Sequence, residues 1–127
     1  MTDRSRSSRS IIVVEDDEHA LTGWLEVLWN AGYSAVGAAS FQEGRRLLEM
    51  HRPNLLITDV RLGAFNGLQL AIRARFGVGP LPTIVVTGYS DELIKLEAEG
   101  LHAIYMEKPV HADELLAAVR DALENSS

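Results

Sequence analysis

Short apolar runs alternate with amphipathic stretches along the whole chain. The runs lie at 11–14, 34–39, 55–58, 83–86 and 103–106. The first, third and fourth are continuous and largely β-branched, which is typical of strands buried on both faces. Helical periodicity predicts helices near 18–31, 41–51, 67–76, 91–99 and 111–124. Alternation at this spacing predicts right-handed βαβ units and a parallel sheet with helices on both faces.

Residues that flank the predicted helices agree with these boundaries. Ser40 and Glu43 have the spacing of a capping box for the second helix, and Ser90 is placed to cap the fourth. Glycines stand where three of the helices should end, at Gly32, Gly77 and Gly100.

Length and composition indicate one ordinary globular domain. The chain has 127 residues, of which 46% are hydrophobic and 24% charged. It has no cysteine, which excludes disulfides and thiolate metal sites and suits a reducing compartment. The longest apolar runs span only a few residues, too short to cross a membrane. We therefore expect a cytoplasmic protein with no membrane contact.

The charge is distributed unevenly. Residues 1–10 carry three arginines and one aspartate, a net charge of +2. Because the whole chain has a net charge of −6, the remaining residues have a net charge of −8. An acidic body argues against direct binding of nucleic acid, which needs clustered Lys and Arg. We expect a flexible Arg/Ser-rich tail at 1–10, one domain at 11–124 and a C-terminal tail at 125–127.

Polar residues follow four of the predicted strands. In a parallel α/β sheet, ligands bind at the carboxyl ends of the strands. The residues found there are Glu15, Asp16 and Asp17, then Asp59, then Thr87, and finally Lys108. Carboxylates, a hydroxyl and an ammonium group should therefore meet at one edge of the sheet.

These groups suit phosphoryl transfer. Clustered carboxylates tolerate one another when they share a divalent cation, and Mg²⁺ prefers oxygen ligands. A carboxylate can itself be the nucleophile and form an aspartyl-phosphate. Lysine and threonine side chains can then neutralise and hydrogen-bond the phosphoryl oxygens.

Four segments together resemble the receiver domains of two-component response regulators: "VVEDD", "LLITDVRLGAFNGLQL", "IVVTG" and "YMEKPV". The resemblance runs from about Ile11 to Leu123. It implies a doubly wound, flavodoxin-like (βα)5 fold with a five-stranded parallel sheet in the order 2-1-3-4-5. It also implies a phosphorelay switch that a histidine kinase or phosphotransfer protein phosphorylates, and that can form a homodimer on phosphorylation. Such a domain is not an ordinary enzyme, although it promotes its own phosphotransfer and dephosphorylation.

Carried over residue by residue, the resemblance implies a phosphoacceptor and a metal site. Asp59 matches the phosphoacceptor. Glu15 and Asp16 match the acidic pair that holds Mg²⁺, and Asp59 and the backbone carbonyl of Arg61 complete the protein ligands. Asp17 falls just after the pair and has no implied role.

The resemblance also implies which residues contact the phosphoryl group. Thr87 and Lys108 match the contacting pair, and Tyr105 matches the aromatic residue that changes rotamer with Thr87. Pro109 matches a proline that usually follows a cis peptide bond.

Four positions differ from the usual family pattern, and one of them is Gly100, which lies about one residue further from Lys108 than usual. Gly63 replaces a common proline, which predicts a looser loop after Asp59. Arg61 and Tyr89 are bulky beside the site, which predicts slow hydrolysis of the aspartyl-phosphate.

Other classes of protein share parts of this pattern. A flavodoxin-like cofactor binder should have a Ser/Thr/Gly-rich loop after the first strand, whereas this loop is acidic. An aspartate-based phosphatase usually carries its nucleophile after the first strand, not the third. A pseudo-receiver, a non-phosphorylated interaction module, would be favoured if Asp59 or Lys108 were missing, and both are present.

The first predicted helix has a wider apolar surface than packing on a sheet requires. Trp24 and Leu28 lie near the centre of its apolar stripe, whereas Leu25 and Trp29 lie at one edge. Tryptophan is enriched at the centres of protein interfaces. We therefore expect Leu25 and Trp29 to contact a partner kinase or a second copy of the chain, although a Trp folded over its own helix would show the same pattern.

Overall fold

The computed structural model describes residues 9–77, 80–88 and 90–124. Five strands form the main sheet, and two more form a separate hairpin. The sheet strands are β1 (Ser10–Val14), β2 (Ser34–Ala38), β3 (Leu55–Asp59), β6 (Thr83–Thr87) and β7 (Ile104–Glu107). The hairpin strands are β4 (Arg61–Leu62) and β5 (Phe65–Asn66). The helices are α1 (Glu18–Asn30), α2 (Phe41–Met50), α3 (Leu68–Phe76), α4 (Glu92–Gly100) and α5 (Ala112–Glu124).

All five strands of the main sheet are parallel, in the order β2-β1-β3-β6-β7. When the hairpin is left out of the count, this is the order 2-1-3-4-5 implied by the resemblance, so the predicted fold is confirmed. Most of the tail predicted at 1–10 and all of the tail at 125–127 lie outside the described residues.

Helices cover both faces of the sheet, as the buried strands require. On one face, Ile11, Val13 and Ile57 pack with Trp24 of α1 and Val119 of α5. The other face is covered by α2, α3 and α4. Among the helices in the described ranges, none has both the length and the apolar character needed to cross a bilayer.

Two predictions about the ends of α4 differ from the structure by one residue. Asp91, not Ser90, caps α4, and its Oδ1 accepts hydrogen bonds from the Leu93 and Ile94 amides at 2.9 and 3.4 Å. A charged carboxylate one residue closer to the helix is the better acceptor for its free amides. Gly100 is still helical, and the left-handed residue that follows α4 is His102, with a φ of 59°.

The loop after Asp59, which Gly63 predicted to be looser, forms a short hairpin. Arg61 pairs with Asn66 and Leu62 with Phe65, which leaves Gly63 and Ala64 as a two-residue turn. Gly63 has a φ of 63° at the first turn position. Glycine adopts this angle without steric cost, and it is the residue that type II′ hairpin turns favour there.

Candidate functional site

The predicted site residues lie together at the carboxyl edge of the sheet. Asp59 ends β3 and lies opposite Val86 in the neighbouring strand, one residue before Thr87 at the end of β6. Glu15 directly follows β1, and Lys108 directly follows β7. The parallel order of the strands therefore brings residues from four distant segments to one place.

Three carboxylates form a compact cluster there. Glu15, Asp16 and Asp59 each offer an oxygen, and these oxygens all lie within 4.8 Å of one another. Glu15 is 0% exposed and Asp59 is 4% exposed, whereas Asp16 lies at the surface. The cluster is thus open to solvent on one side, through Asp16.

Lys108 supplies a positive charge to this cluster. Its Nζ lies 2.7 Å from Glu15 Oε1 and 3.0 Å from Asp59 Oδ2. The same ammonium group lies 5.7 Å from the centre of the Trp24 ring, within the range of a cation–π contact. The peptide bond between Lys108 and Pro109 is cis, as the resemblance implies.

Burial and like charge perturb the ionisation of these groups. Burial raises the pKa of Glu15 to about 7, and the Asp59 charge adds to the rise, although Lys108 and the Asp17 amide oppose it. Burial lowers the pKa of Lys108, but the pairing with Glu15 and Asp59 outweighs this effect and leaves it raised. Glu15 Oε1 and Lys108 Nζ form a close ion pair whose geometry is not that of a hydrogen bond. This buried carboxylate oxygen therefore has charge pairing but no hydrogen-bond donor among the described residues.

The donor set fits a divalent cation. The three carboxylates carry three negative charges when ionised, and Lys108 offsets one of them. A divalent cation would balance the remaining two charges, and an all-oxygen set with one open side suits Mg²⁺, which keeps several of its waters.

The main chain around Asp59 is held closely. The Arg61 amide donates to Asp59 Oδ1 at 3.3 Å, and the Val60 amide donates to the Val86 carbonyl oxygen at 2.9 Å. The Gly67 amide donates to the Val60 carbonyl oxygen at 2.6 Å. A Cβ atom on Gly67 would overlap the backbone oxygen of Asp59, so only glycine fits beside it.

Backbone amides also hold the other two carboxylates. The Asp17 amide donates to Glu15 Oε2 at 3.0 Å. The Gly63 amide, at the tip of the hairpin, donates to Asp16 Oδ2 at 3.1 Å. Asp17 itself caps α1, because its Oδ1 accepts from the His19 and Ala20 amides.

Thr87 and Tyr105 lie on the same face of the sheet. Thr87 is buried and is two residues from Val85, which pairs with Tyr105 in the neighbouring strand. The Tyr105 hydroxyl donates to Glu107 Oε2 at 2.9 Å. Burial raises the pKa of Tyr105, and the hydrogen bond to Glu107 adds to the rise.

The residues predicted to contact a partner lie on α1, away from the acidic cluster. The Trp29 side chain is half exposed, and its Nε1–H donates to the Ala35 carbonyl oxygen of β2 at 2.9 Å. Leu25 is half-buried, and its Cδ1 covers Gly37. Arg61 is exposed beside the site, and Tyr89 lies outside the described residues.

The contacts that three residues make with the site were not predicted from the sequence. Trp24 lies on the core stripe of α1, and only the fold brings its ring to Lys108. Gly63 and Gly67 look like ordinary loop glycines, yet one bonds Asp16 and the other packs on Asp59. The sequence pattern that could have indicated these contacts is the pair of glycines, Gly63 and Gly67, that follows the strand-end aspartate Asp59.

Comparison with known proteins agrees with this geometry. The family model described as the response regulator receiver domain matches residues 11–120. The chain therefore belongs to the receiver domain family of two-component systems, whose members are phosphoacceptor switches and not ordinary enzymes. Receiver domains bind Mg²⁺ at an acidic pocket, and response regulators interact with histidine kinases.

Its curated relatives are longer than this chain. It is 30% identical to the transcriptional regulatory protein GlrR of Escherichia coli over 97% of its own length and 28% of that protein. It is 31% identical to the transcriptional regulatory protein AfsQ1 of Streptomyces coelicolor over 90% of its own length and 51% of that protein. The chain thus spans about half or less of either relative.

Solved structures of similar sequence have the same fold. A CheY-like receiver domain from Methanospirillum hungatei is 28% identical, with a TM-score of 0.88 over 94% of this chain and 96% of that one. The non-phosphorylated HemR receiver domain from Leptospira biflexa is also 28% identical, with a TM-score of 0.82 over 91% of this chain and 94% of that one.

Proposed function

We propose that this domain is a signalling switch that accepts a phosphoryl group on Asp59 from a histidine kinase or a phosphotransfer protein. The transfer depends on Mg²⁺, and the domain promotes both its own phosphorylation and its own dephosphorylation. Like other receivers, it works in the cytoplasm, and phosphorylation can favour a homodimer. Direct contact with nucleic acid or a membrane is not part of this function.

One observation carries the proposal. Asp59 is a nearly buried carboxylate with a lysine ammonium group at 3.0 Å and two further carboxylates within 4.8 Å. Burying two carboxylates beside a third is costly unless a ligand uses their charges. Phosphoryl transfer needs this combination of a nucleophile, a cation site and a positive side chain.

The chemical step is a displacement at phosphorus. An oxygen of Asp59 forms a bond to phosphorus while the bond from phosphorus to the donor breaks. With a phosphohistidine donor, the imidazole nitrogen keeps the electron pair of that bond. The Arg61 amide at Oδ1 and Lys108 at Oδ2 fix the plane of the Asp59 carboxylate before the attack.

Other residues bind and orient the transferred group. Lys108 remains paired with Glu15 and can turn its remaining donors to a phosphoryl oxygen. Thr87, one strand away, would donate its hydroxyl to another phosphoryl oxygen. Tyr105 would then change its position with Thr87, which is the proposed switch.

The metal site would use residues from two segments of the chain, the loop after β1 and the end of β3 with the start of β4. Glu15, Asp16, Asp59 and the backbone carbonyl of Arg61 would hold Mg²⁺. When bound, the cation neutralises the carboxylates and lets an anionic phosphoryl group approach them.

Phosphorylation of an Asp59→Asn variant tests the proposal. With Mg²⁺ and a small-molecule phosphodonor, we expect the parent to gain one hydroxylamine-labile phosphate and the variant to gain none, because the amide is not a nucleophile. The measurement is intact-protein mass spectrometry. Asp17→Asn is the matched control, since asparagine caps a helix as well as aspartate and Asp17 lies outside the cluster.

Labelling of Asp59→Asn at the parent level would refute the assignment of the nucleophile. A parent that is never labelled, although Mg²⁺ is bound, would favour the alternative function of a non-phosphorylated interaction module. The intact Asp59–Lys108 pair argues against that alternative.

We also propose that Leu25 and Trp29 contact the partner kinase or a second copy of the chain. The hydrogen bond from Trp29 Nε1 to β2 holds the ring in one orientation while half of it stays exposed. A side chain that is already ordered loses little conformational entropy on binding. Leu25 extends the same apolar surface towards β2.

Trp29→Ala should slow phosphotransfer from a kinase that phosphorylates the parent, by about tenfold if Trp29 is an interface hot spot. Labelling by the small-molecule donor should stay at the parent rate, because Trp29 lies away from Asp59. The measurement is the initial transfer rate from phosphorylated kinase. Val36→Ala is the control, since Val36 is equally exposed on β2. Equal slowing of both variants would point to β2 instead, and transfer at the parent rate would remove Trp29 from the interface.

A further inference from the structure

The hairpin after β3 connects the acidic cluster to an aromatic pair. Gly63, at its tip, donates its amide to Asp16 Oδ2 across 47 positions of sequence. Asp16 lies on an exposed loop, where a carboxylate without such a bond would sample many orientations. The position of the hairpin tip therefore affects where the Asp16 carboxylate points.

Two contacts anchor the hairpin to the body of the domain. Leu62 is buried in the core cluster that contains Val14 and Phe41. Phe65 stacks on Phe41, with ring centroids 4.9 Å apart and an angle of 11° between the ring planes. Leu62 belongs to β4 and Phe65 to β5, so each strand of the hairpin has one anchor.

The stack on Phe41 explains why a phenylalanine stands at the partly exposed position 65. Phe65 is 43% exposed, so its ring gains less from burial than a core residue would. Phe41 is buried at the start of α2, next to the residues that lead into the acidic loop. Phe65 thus stacks on a member of the core cluster that also contains Val14, one residue before Glu15.

We propose that the Phe41–Phe65 stack is a latch that positions the hairpin, so that the Gly63 amide orients Asp16 for Mg²⁺. The proposal rests on the function proposed above, because it assumes that Asp16 is a metal ligand. Phe65 is a positioning residue that acts through Gly63. Loosening the stack frees the hairpin tip, and Asp16 then loses the bond that holds it ready for the cation.

Phe65→Ala tests the latch by two readouts in the full chain. We expect Mg²⁺ to bind roughly three- to tenfold more weakly, which is less than the 10–100-fold typical for loss of a direct partner of a metal ligand. In metal-free protein, the Gly63 amide should shift in the ¹H–¹⁵N NMR spectrum and exchange faster with water. Isothermal titration with Mg²⁺ gives the affinity, and neither readout depends on phosphorylation.

Two variants serve as controls. Phe65→Tyr keeps the stacked ring and should leave both the affinity and the Gly63 amide at parent values. Phe76→Ala makes the same truncation at a side chain that is 73% exposed on α3, and it should also behave as the parent. Urea unfolding of each variant separates a local effect from general loss of stability.

The outcomes separate this inference from the proposed function. Parent-like Mg²⁺ affinity and a parent-like Gly63 amide in Phe65→Ala would overturn the latch while leaving the metal site intact. A parent that binds no Mg²⁺ would refute the metal site, and the latch would then be judged by the Gly63 amide alone. In that case, a released amide would support only the positioning of the hairpin by the stack, and an unchanged amide would overturn that as well.

Discussion

The two edges of the main sheet differ in what they bury. At the carboxyl edge, the buried polar side chains include Glu15, Asp59 and Thr87, with Lys108 beside them. At the amino edge, polar groups make ordinary bonds at turns and strand ends. Thr83 Oγ1, for example, donates to the Leu81 carbonyl oxygen at 3.0 Å. The carboxyl edge therefore buries charged groups that folding alone does not require, whereas the polar groups of the amino edge form the hydrogen bonds of turns and strand ends.

The size of a cavity does not reveal this difference. A groove of about 460 Å³ lies at the amino edge, and Arg45, Arg52 and Arg73 line part of it. These arginines are exposed, so their guanidinium groups reach water and their placement costs little. Glu15 and Asp59 are buried, and their placement is costly without a ligand. Buried charge, and not concavity, therefore distinguishes the edge that carries the candidate site.

The difference between the two edges predicts how substitutions at each edge should act. Changes at the carboxyl edge should alter stability and phosphorylation together, because the same backbone supports both. Changes at the amino edge should alter stability alone. Glycines and a left-handed residue at the two edges allow this expectation to be tested with single substitutions.

Gly67→Ala, at the carboxyl edge, should have the largest effect. The new Cβ would overlap the Asp59 backbone oxygen, which cannot move without shifting the nucleophile. We expect a loss of about 3 kcal/mol or more in the free energy of unfolding, at the upper end for overpacking. Urea unfolding measures the loss, and labelling by a small-molecule phosphodonor should fall as well.

Gly23→Ala is the matched control for this substitution. Gly23 lies inside α1, and a Cβ there would meet no atom within 4 Å. Alanine in a helix interior is favoured over glycine by about 0.5–1 kcal/mol, so this variant should be more stable and fully phosphorylated. If Gly67→Ala unfolds at the parent urea concentration, the backbone around Asp59 relaxes freely, and the contrast between the edges fails.

The sequence predicted the regular elements closely because the central strands are continuous apolar runs that are buried and alternate with amphipathic helices. Every predicted end of a sheet strand or helix lies within one residue of the observed end. The strand order and the roles of Asp59, Thr87 and Lys108 came from the family resemblance, since periodicity alone does not determine which strands are neighbours. The structure places these residues at one edge, whereas their chemical roles remain to be tested.

The features that escaped prediction depend on contacts between distant residues. The hairpin has strands of two residues each, and its anchor is the stack between Phe65 and Phe41. Trp24 was predicted to face the sheet, but its contact with Lys108 requires the whole fold. The choice between Ser90 and Asp91 as the cap depends on where α4 begins, and a shift of one residue decides it.

His102→Gly, at the amino edge, should have the smallest effect and the opposite sign. His102 has a φ of 59°, a left-handed angle that costs a non-glycine residue about 1–2 kcal/mol. Glycine removes this cost but gains about 0.5–1 kcal/mol of entropy in the unfolded chain. We therefore expect the free energy of unfolding to rise by about 0.5–1 kcal/mol, measured by urea unfolding.

Gly32→Ala is the control, because it makes the reverse change at the turn after α1. Gly32 has a φ of 97°, and a Cβ there meets no other atom, so its cost would be conformational alone. The strain of about 1–2 kcal/mol is partly offset by the lower entropy of alanine in the unfolded chain, so we expect a loss of about 0.5–1 kcal/mol. Both variants should be labelled on Asp59 at the parent rate, since both turns lie at the amino edge. A slower rate in either would show that the amino edge also affects the chemistry, and the division between the two edges would no longer hold.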